Sequence, residues 1–298
     1  MSTFKQIALI GPTASGKTAL AIKYAKKHNA NILSLDSLAL YKEIDIVSAK
    51  PTAKERQNIP HFGLDVIYPN EAFDVTLFIK LYQEAKEQSM RKGKSLVIVG
   101  GTSFYLKILI DGISPMPTIS QSSKEKTSKL LDNLFEAHSF LTKLDPIYMK
   151  NIKTTDRYRI EKMLNLYFET RLTPTQYFKT HPPLPIITDK LPIYEIAIER
   201  ELLRERIRIR THQMIEMGLI DEVFALEKRY TRTPNCMKAI GIRETLDYFD
   251  GVYTKQELIE KIIINTARLA KRQRTFNSSQ FKKKTSLPLD RLKVLLLK

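Results

Sequence analysis

The run Gly11-Pro12-Thr13-Ala14-Ser15-Gly16-Lys17-Thr18 is suited to holding phosphate. It matches G-x-x-x-x-G-K-[ST] at every fixed position and lies between a short apolar run and a helical pattern, the context this motif requires. Glycines at both ends let the backbone curl until successive N–H groups converge on phosphate oxygens. The following helix adds its positive end, Lys17 adds a mobile charge, and Thr18 offers a hydroxyl to Mg²⁺. Two further residues fall where ligands bind in such an architecture, at the carboxyl ends of apolar runs. Asp36 follows Asn31-Ile-Leu-Ser-Leu35, and Thr102 follows Leu96-Val-Ile-Val99 and Gly100-Gly101. Each is equally well placed to cap a helix, so position alone leaves both roles open. A nucleotide hydrolase needs an apolar strand ending in a metal-binding aspartate. The best such strand here ends in Gly100-Gly101-Thr102, and Leu64-Asp65 follows only a short run interrupted by Gly63, so a hydrolytic switch is disfavoured.

The elements that must position these residues follow from the apolar pattern. Gln6–Ile10 reads as a buried parallel strand, Thr18–Lys27 as a helix, and Asn31–Leu35, Leu96–Val99 and Ile193–Ile198 as further strands. Val75–Arg91 has helical periodicity through Leu77, Phe78, Leu81, Tyr82 and Ala85. Strands alternating with helices predict an α/β fold, a P-loop NTPase-like parallel sheet flanked by helices. The middle of the chain differs. Eight of the 14 prolines fall between Pro115 and Pro192, mostly at its two ends, around a helical stretch Lys124–Glu169. The expected arrangement is an all-helical subdomain, residues 116–190, inserted into a core of residues 1–115 and 191–298. Arg200–Lys228 and Lys255–Phe276 read as two more helices.

Length and charge narrow the partner. With 298 residues, 43% of them hydrophobic, the chain can bury a sizeable core, which excludes wholesale disorder. One cysteine excludes a disulfide framework and suits a reducing, cytoplasmic compartment, with Cys236 free and structural. The five histidines show no metal-ligand spacing, and no apolar run approaches the roughly 20 residues of a membrane span. The formal charge is +17, and residues 200–298 hold 22 Lys/Arg against 12 Asp/Glu. Lys261–Lys284 contains eight basic residues and no acidic one. A one-signed block of this kind, including Arg268, Lys271 and Arg272, points to a polyanion.

At this point the residues match a family. The phosphate loop, Asp36-Ser37 with Tyr41, Asp45-Ile-Val-Ser-Ala-Lys-Pro51, Gly100-Gly-Thr-Ser-Phe-Tyr105, Ala239-Ile-Gly-Ile-Arg243-Glu244 and Thr266-Ala-Arg-Leu-Ala-Lys-Arg-Gln273 closely resemble bacterial tRNA dimethylallyltransferases, in family order. The resemblance implies transfer of a dimethylallyl group from dimethylallyl diphosphate to the exocyclic N6 amine of an adenosine. That adenosine lies just 3′ of the anticodon in tRNAs that read codons beginning with U. On this reading the loop holds a diphosphate leaving group, with Mg²⁺ on Thr18. The resemblance makes Asp36 the base, places Thr102 beside the reacting centre, and gives Lys17 and Arg210 the diphosphate. It assigns contact with the tRNA anticodon stem-loop to Asp36, Ser37, Leu38, Ala39, Thr102 and Lys124. It extends that contact to Tyr158, Arg159, Ile160, Glu161 and Lys162, and to Lys238, Ala239, Ile240, Gly241, Ile242 and Arg243. The chain departs from the family at Leu38-Ala39, often polar elsewhere, at Lys124 and Lys162, where arginine is usual, and at Arg274-Thr275-Phe276, where Thr-Trp is usual. A monomer without membrane attachment is the expected state. Two rivals are a small-molecule kinase or isopentenyltransferase acting on free adenine nucleotides, and a nucleotide-gated RNA-binding protein. The basic C-terminal third argues against the first, and the missing metal aspartate against the second.

Overall fold

The structure, a computed structural model, describes residues 4–298. In chain order its elements are β1 (Gln6–Ile10), α1 (Lys17–Lys27), β2 (Ala30–Ser34), α2 (Ala53–Arg56), β3 (His61–Phe62), α3 (Val75–Arg91), β4 (Ser95–Gly100) and α4 (Ser103–Asp111). Then come α5 (Gln121–Leu131), α6 (Leu134–Leu144), α7 (Pro146–Met149), α8 (Arg157–Thr170) and α9 (Pro174–Thr180). The chain returns through β5 (Ile193–Ala197), α10 (Arg200–Glu216), α11 (Leu219–Tyr230), α12 (Ile242–Phe249), α13 (Lys255–Gln280), β6 (Thr285–Pro288) and α14 (Leu289–Leu296).

The chain divides into two compact units, one of residues up to 107 with 187–298, the other of residues 108–186. The sequence placed the corresponding limits at 115/116 and 190/191. In the structure the division falls within α4, and Ile113 bridges Leu184 while Tyr177 Oη donates to Pro115 O at 2.8 Å. The Pro115–Pro117 stretch is therefore part of the helical unit. Ala137, Leu141, Ile160, Leu164, Leu166 and Tyr177 are buried at that unit's own core.

The larger unit is built on a six-stranded sheet of order β3-β2-β4-β1-β5-β6, with every pairing parallel. All five residues of β1 are buried, as an apolar run covered on both faces requires. Ile7 and Leu9 join Leu20 and Ala21 of α1 and Leu292 and Leu296 of α14 in one cluster. From α3, the buried Tyr82 donates to Gln6 Oε1 at 3.0 Å. A second cluster joins Tyr41, Ile44 and Val47 to Leu219, Val223, Ile242 and Leu258 of α11, α12 and α13.

Three expectations from sequence are corrected. Arg200–Lys228 is two helices, because Gly218 takes a left-handed conformation at φ 98° and starts α11. Lys124–Glu169 is interrupted where side chains start new helices. Asn133 Oδ1 accepts from Phe135 N and Glu136 N, and Asp145 Oδ1 accepts from Tyr148 N. β3 and β6, absent from the sequence reading, form the two edges of the sheet. Among the described residues no helix is long and apolar enough to cross a membrane.

Candidate active site

The phosphate loop leaves β1 through Gly11, where a Cβ would lie 3.3 Å from Ile196 O and from Ser15 Oγ. Ala14 sits at φ 60° and Gly16 at φ 95°, so the loop curls before α1 begins at Lys17. The Lys17 side chain folds over this curl. Its ammonium donates to Pro12 O at 2.6 Å and reaches Ser15 Oγ at 3.5 Å. Two arginines one turn apart on α10 hold the loop from outside. Arg210 Nη1 donates to Thr13 Oγ1 and Arg206 Nη1 to Ser15 O, both at 3.3 Å. Behind them Ala14 packs on Leu203, Ile207 and Ala270, which fixes α10 and α13 to the loop.

The ends of β2 and β4 meet beside the loop. A Cβ on Gly100 would lie 2.6 Å from Leu35 Cβ, so the two strand ends approach as closely as glycine allows. Thr102 N donates to Leu35 O at 3.2 Å, which ties the start of α4 to the residue before Asp36. The choice between cap and functional group resolves differently at each position. Asp36 Oδ1 does cap a turn, accepting from Leu38 N at 2.9 Å and Ala39 N at 3.3 Å. Its Oδ2 takes no protein hydrogen bond among the described residues and is left for another donor. Nor does the Thr102 hydroxyl, although Thr102 immediately precedes α4, so no cap holds it.

Electrostatics joins three of these groups. Burial pushes the Lys17 ammonium down to about 7; nearby Arg210 adds to that, and Asp36 opposes it. Burial also lowers Arg210, again against Asp36. Arg210 stays charged regardless, because a guanidinium does not titrate in the accessible range. Asp36 thus lies close enough to both cations to act on each. Tyr105, stacked on Phe78 at 4.8 Å, has its phenol pushed up by burial, and Asp36 adds to the shift.

The donor set fits Mg²⁺ of the kind that phosphate oxygens largely hold. Thr18 is exposed at the start of α1, and no described residue occupies its hydroxyl. No group of three or more His, Cys, Asp or Glu side chains suits a metal among the described residues, so Thr18 is the residue here that would hold such an ion together with phosphate oxygens.

Asp65 has a structural role. It receives Lys50 Nζ at 2.7 Å, as does Asp45, and the Lys50 side chain is only 3% exposed. The segment carrying Asp45 is held from α11, where both oxygens of one carboxylate are in use. Glu222 Oε2 accepts from Asp45 N at 2.9 Å and Ile46 N at 2.7 Å, and Oε1 from Val47 N at 3.0 Å.

The residues that the resemblance assigned to RNA separate by exposure. Tyr158, Arg159, Glu161 and Lys162 of α8 are exposed, with Lys162 Nζ 5.7 Å from the Tyr158 ring centre, whereas Ile160 is buried in the helical core. Lys124, Lys238 and Arg243 are exposed, and Ala39, Gly241 and Ile242 are buried. Those three, with Ile160, therefore shape the fold, and their side chains offer RNA no surface. Glu244 is buried and fully engaged, accepting from Gly241 N, Arg243 Nη2 and Asn265 Nδ2. Arg268, Lys271 and Arg272 lie exposed along α13.

Sequence reasoning missed two residues. Arg206 lies four positions before Arg210, a spacing that puts both on one helical face. Gln273 ends the quoted motif of α13, and its Oε1 accepts from Thr13 N at 2.9 Å. A cavity of 450 Å³ lies on the β5–β6 flank of the loop, lined by Pro12, Ser15, Arg206, Arg274 and Leu289. It includes neither Asp36 nor Thr102.

A phosphate loop after β1, with Gly100-Gly101-Thr102 instead of a metal-binding aspartate at the end of the neighbouring β4 and Asp36 after β2, fits a group-transfer protein that handles phosphate as leaving group or anchor. A model of the IPP transferase family matches residues 39–280, a span that begins beyond the loop. The chain is 61% identical over 277 residues to the tRNA dimethylallyltransferase of Sulfurovum sp. (strain NBC37-1), covering 93% of this chain and 92% of that one. It is 54% identical over 294 residues to that of Aliarcobacter butzleri (strain RM4018), covering 99% and 98%. Among solved structures it is similar to the full-length tRNA isopentenylpyrophosphate transferase of Bacillus halodurans, with a TM-score of 0.72, 29% identity, and coverage of 98% of this chain and 94% of that one. The chain belongs to the IPP transferase family.

Proposed function

We propose that the protein transfers a dimethylallyl group from its diphosphate to the exocyclic amine of the adenosine just 3′ of the anticodon, in tRNAs reading codons that begin with U. It acts as a monomer in the cytoplasm. The observation that carries this reading is the convergence of Lys17, Arg210 and the unbonded Oδ2 of Asp36 beside a phosphate loop.

In the step, the bond between the allylic carbon and the diphosphate oxygen breaks with its electron pair leaving on oxygen. The adenosine nitrogen forms the new bond to carbon, and its proton goes to Asp36 Oδ2. The allylic carbon spreads positive charge, so the protein need supply little covalent help. Negative charge develops on the leaving oxygens, and loop N–H groups, Lys17 and Arg210 stabilise it there. Mg²⁺, held by Thr18 and the phosphates when bound, adds charge neutralisation. A carboxylate is a weak base, and it takes the proton only as bond formation makes the amine acidic. The target base lies in a loop, where unstacking costs little, so it can be flipped towards Asp36 and Thr102.

Incubation with labelled dimethylallyl diphosphate and either tRNA or AMP tests the reading. Label appearing in tRNA is expected. Label in AMP alone, or RNA binding without any transfer, would replace it with one of the two rivals.

A further inference from the structure

Two parts of the site that must keep a fixed spacing leave neighbouring strands, β1 and β4, just beyond the last pair of their ladder, Ile10 with Gly100. One is the phosphate loop after β1, which holds the leaving group, and the other is the Gly100-Gly101-Thr102 turn after β4. Their contact through one side chain is the feature that neither the motif nor the family match assigns. Gln273 reaches out of α13, and its Oε1 accepts the Thr13 N–H at 2.9 Å. The other end of the same carboxamide lies against the turn. A Cβ built on Gly101 would meet Gln273 Nε2 at 2.4 Å, so the space beside Gly101 is occupied by this amide. Thr13 is also gripped from the other side, where its hydroxyl accepts from Arg210. A glutamine suits the place for an electrostatic reason. A glutamate would accept the same N–H but would set a negative charge beside the diphosphate.

We propose that Gln273 is a positioning residue that locks the phosphate loop to the Gly101–Thr102 turn, and so fixes the distance between the leaving group and the reacting end of the site. The proposal rests on the transferase reading above. It acts through the loop and the turn, without contact with the reacting atoms.

The test uses the full-length chain with three single variants, one double variant and two ligands, inorganic diphosphate and dimethylallyl diphosphate. Gln273→Met keeps the length of the side chain and removes both polar atoms. Its Kd for inorganic diphosphate should rise about tenfold, and kcat for transfer should fall by about tenfold or more, since a small misplacement in such a site has large kinetic effects. The KM for tRNA and the Tm should stay at wild-type values. Partial unfolding would instead lower kcat and leave the Kd of the folded fraction unchanged.

Gly101→Ala supplies an independent check, because its methyl group must push the carboxamide aside and should reproduce the loss. In the Gln273→Ala background the same methyl meets no amide, so the double variant should be no worse than Gln273→Ala alone. Wild-type diphosphate affinity in Gln273→Met, or additive losses in the double variant, would overturn the proposal while leaving the transferase reading intact. A wild-type protein that binds diphosphate in a Gln273-dependent way but transfers nothing to tRNA would do the reverse.

Discussion

Lys17 and Arg210 carry the same formal charge as Arg268, Lys271 and Arg272 of α13, yet the two groups obey different physics. The first pair is enclosed: Lys17 is 8% exposed, donates to the loop's own carbonyl, and has its proton affinity lowered by burial. The α13 cations stand in water, and no carboxylate pairs with any of the three among the described residues. Enclosed charges act strongly on one small anion, and one of the two, Lys17, responds to pH. Exposed charges act weakly, collectively, and in a way that salt screens. The +17 of the chain is therefore two tools, one for a leaving group and one for a polyanion.

The sharpest way to break this division is at Asp36, the one carboxylate among the enclosed cations. Asp36→Ala should lower transfer by about 10²–10⁴-fold and leave tRNA affinity unchanged in a filter-binding assay. A comparable loss of tRNA binding would move Asp36 from the chemistry to the interface.

Next comes Arg210→Ala, which removes a charge-assisted contact in a half-buried place. It should raise the KM for dimethylallyl diphosphate by about 10–100-fold with little change in the KM for tRNA.

The pH response follows in size. Binding of an anion favours the charged form of Lys17, so its pKa in the complex lies above its value of about 7 in the free protein. Between these two values binding takes up a proton, and diphosphate affinity must weaken as pH rises. The limit is about tenfold per pH unit. Calorimetric titration with dimethylallyl diphosphate, a diphosphate monoester that has already lost its protons, without added metal and from about pH 7.5 upward, reads this directly. Lys17→Arg should flatten the profile, because arginine keeps its proton.

Smallest of all are the single α13 substitutions. Arg268→Ala, Lys271→Ala or Arg272→Ala should each weaken tRNA binding a few-fold and reduce the slope of log affinity against log salt by about 0.7–0.9. None should change the KM for the prenyl diphosphate. If one does, the two tools are a single continuous surface.

How much of this was legible in the sequence depends on whether a signal is local. β1 and α3 have the limits that the apolar pattern gives, Gln6–Ile10 and Val75–Arg91, because one is a fully buried apolar run and the other a 17-residue stretch of helical periodicity. β6, Thr285–Pro288, has no apolar period and exists only because it pairs with β5. β3 is two residues long and depends likewise on β2. In the site, the loop and the strand-end residues could be found by position. Gln273 could not, because its partner lies 260 residues away and its own neighbours are basic. The uneven roles of Tyr158 to Lys162 were likewise hidden, since exposure alternates around a helix whose partners are unknown from sequence.

The grip of Glu222 on three consecutive backbone N–H groups has a consequence for experiment. Shortened to alanine, position 222 would leave Asp45, Ile46 and Val47 pointing their donors at a space shaped for a carboxylate. Such a cradle binds small anions by the same geometry that binds phosphate elsewhere. The defect in Glu222→Ala should therefore be repairable from solution: acetate or formate, added at concentrations that leave the wild type unaffected, should restore its lost stability, and a neutral amide of the same size should not.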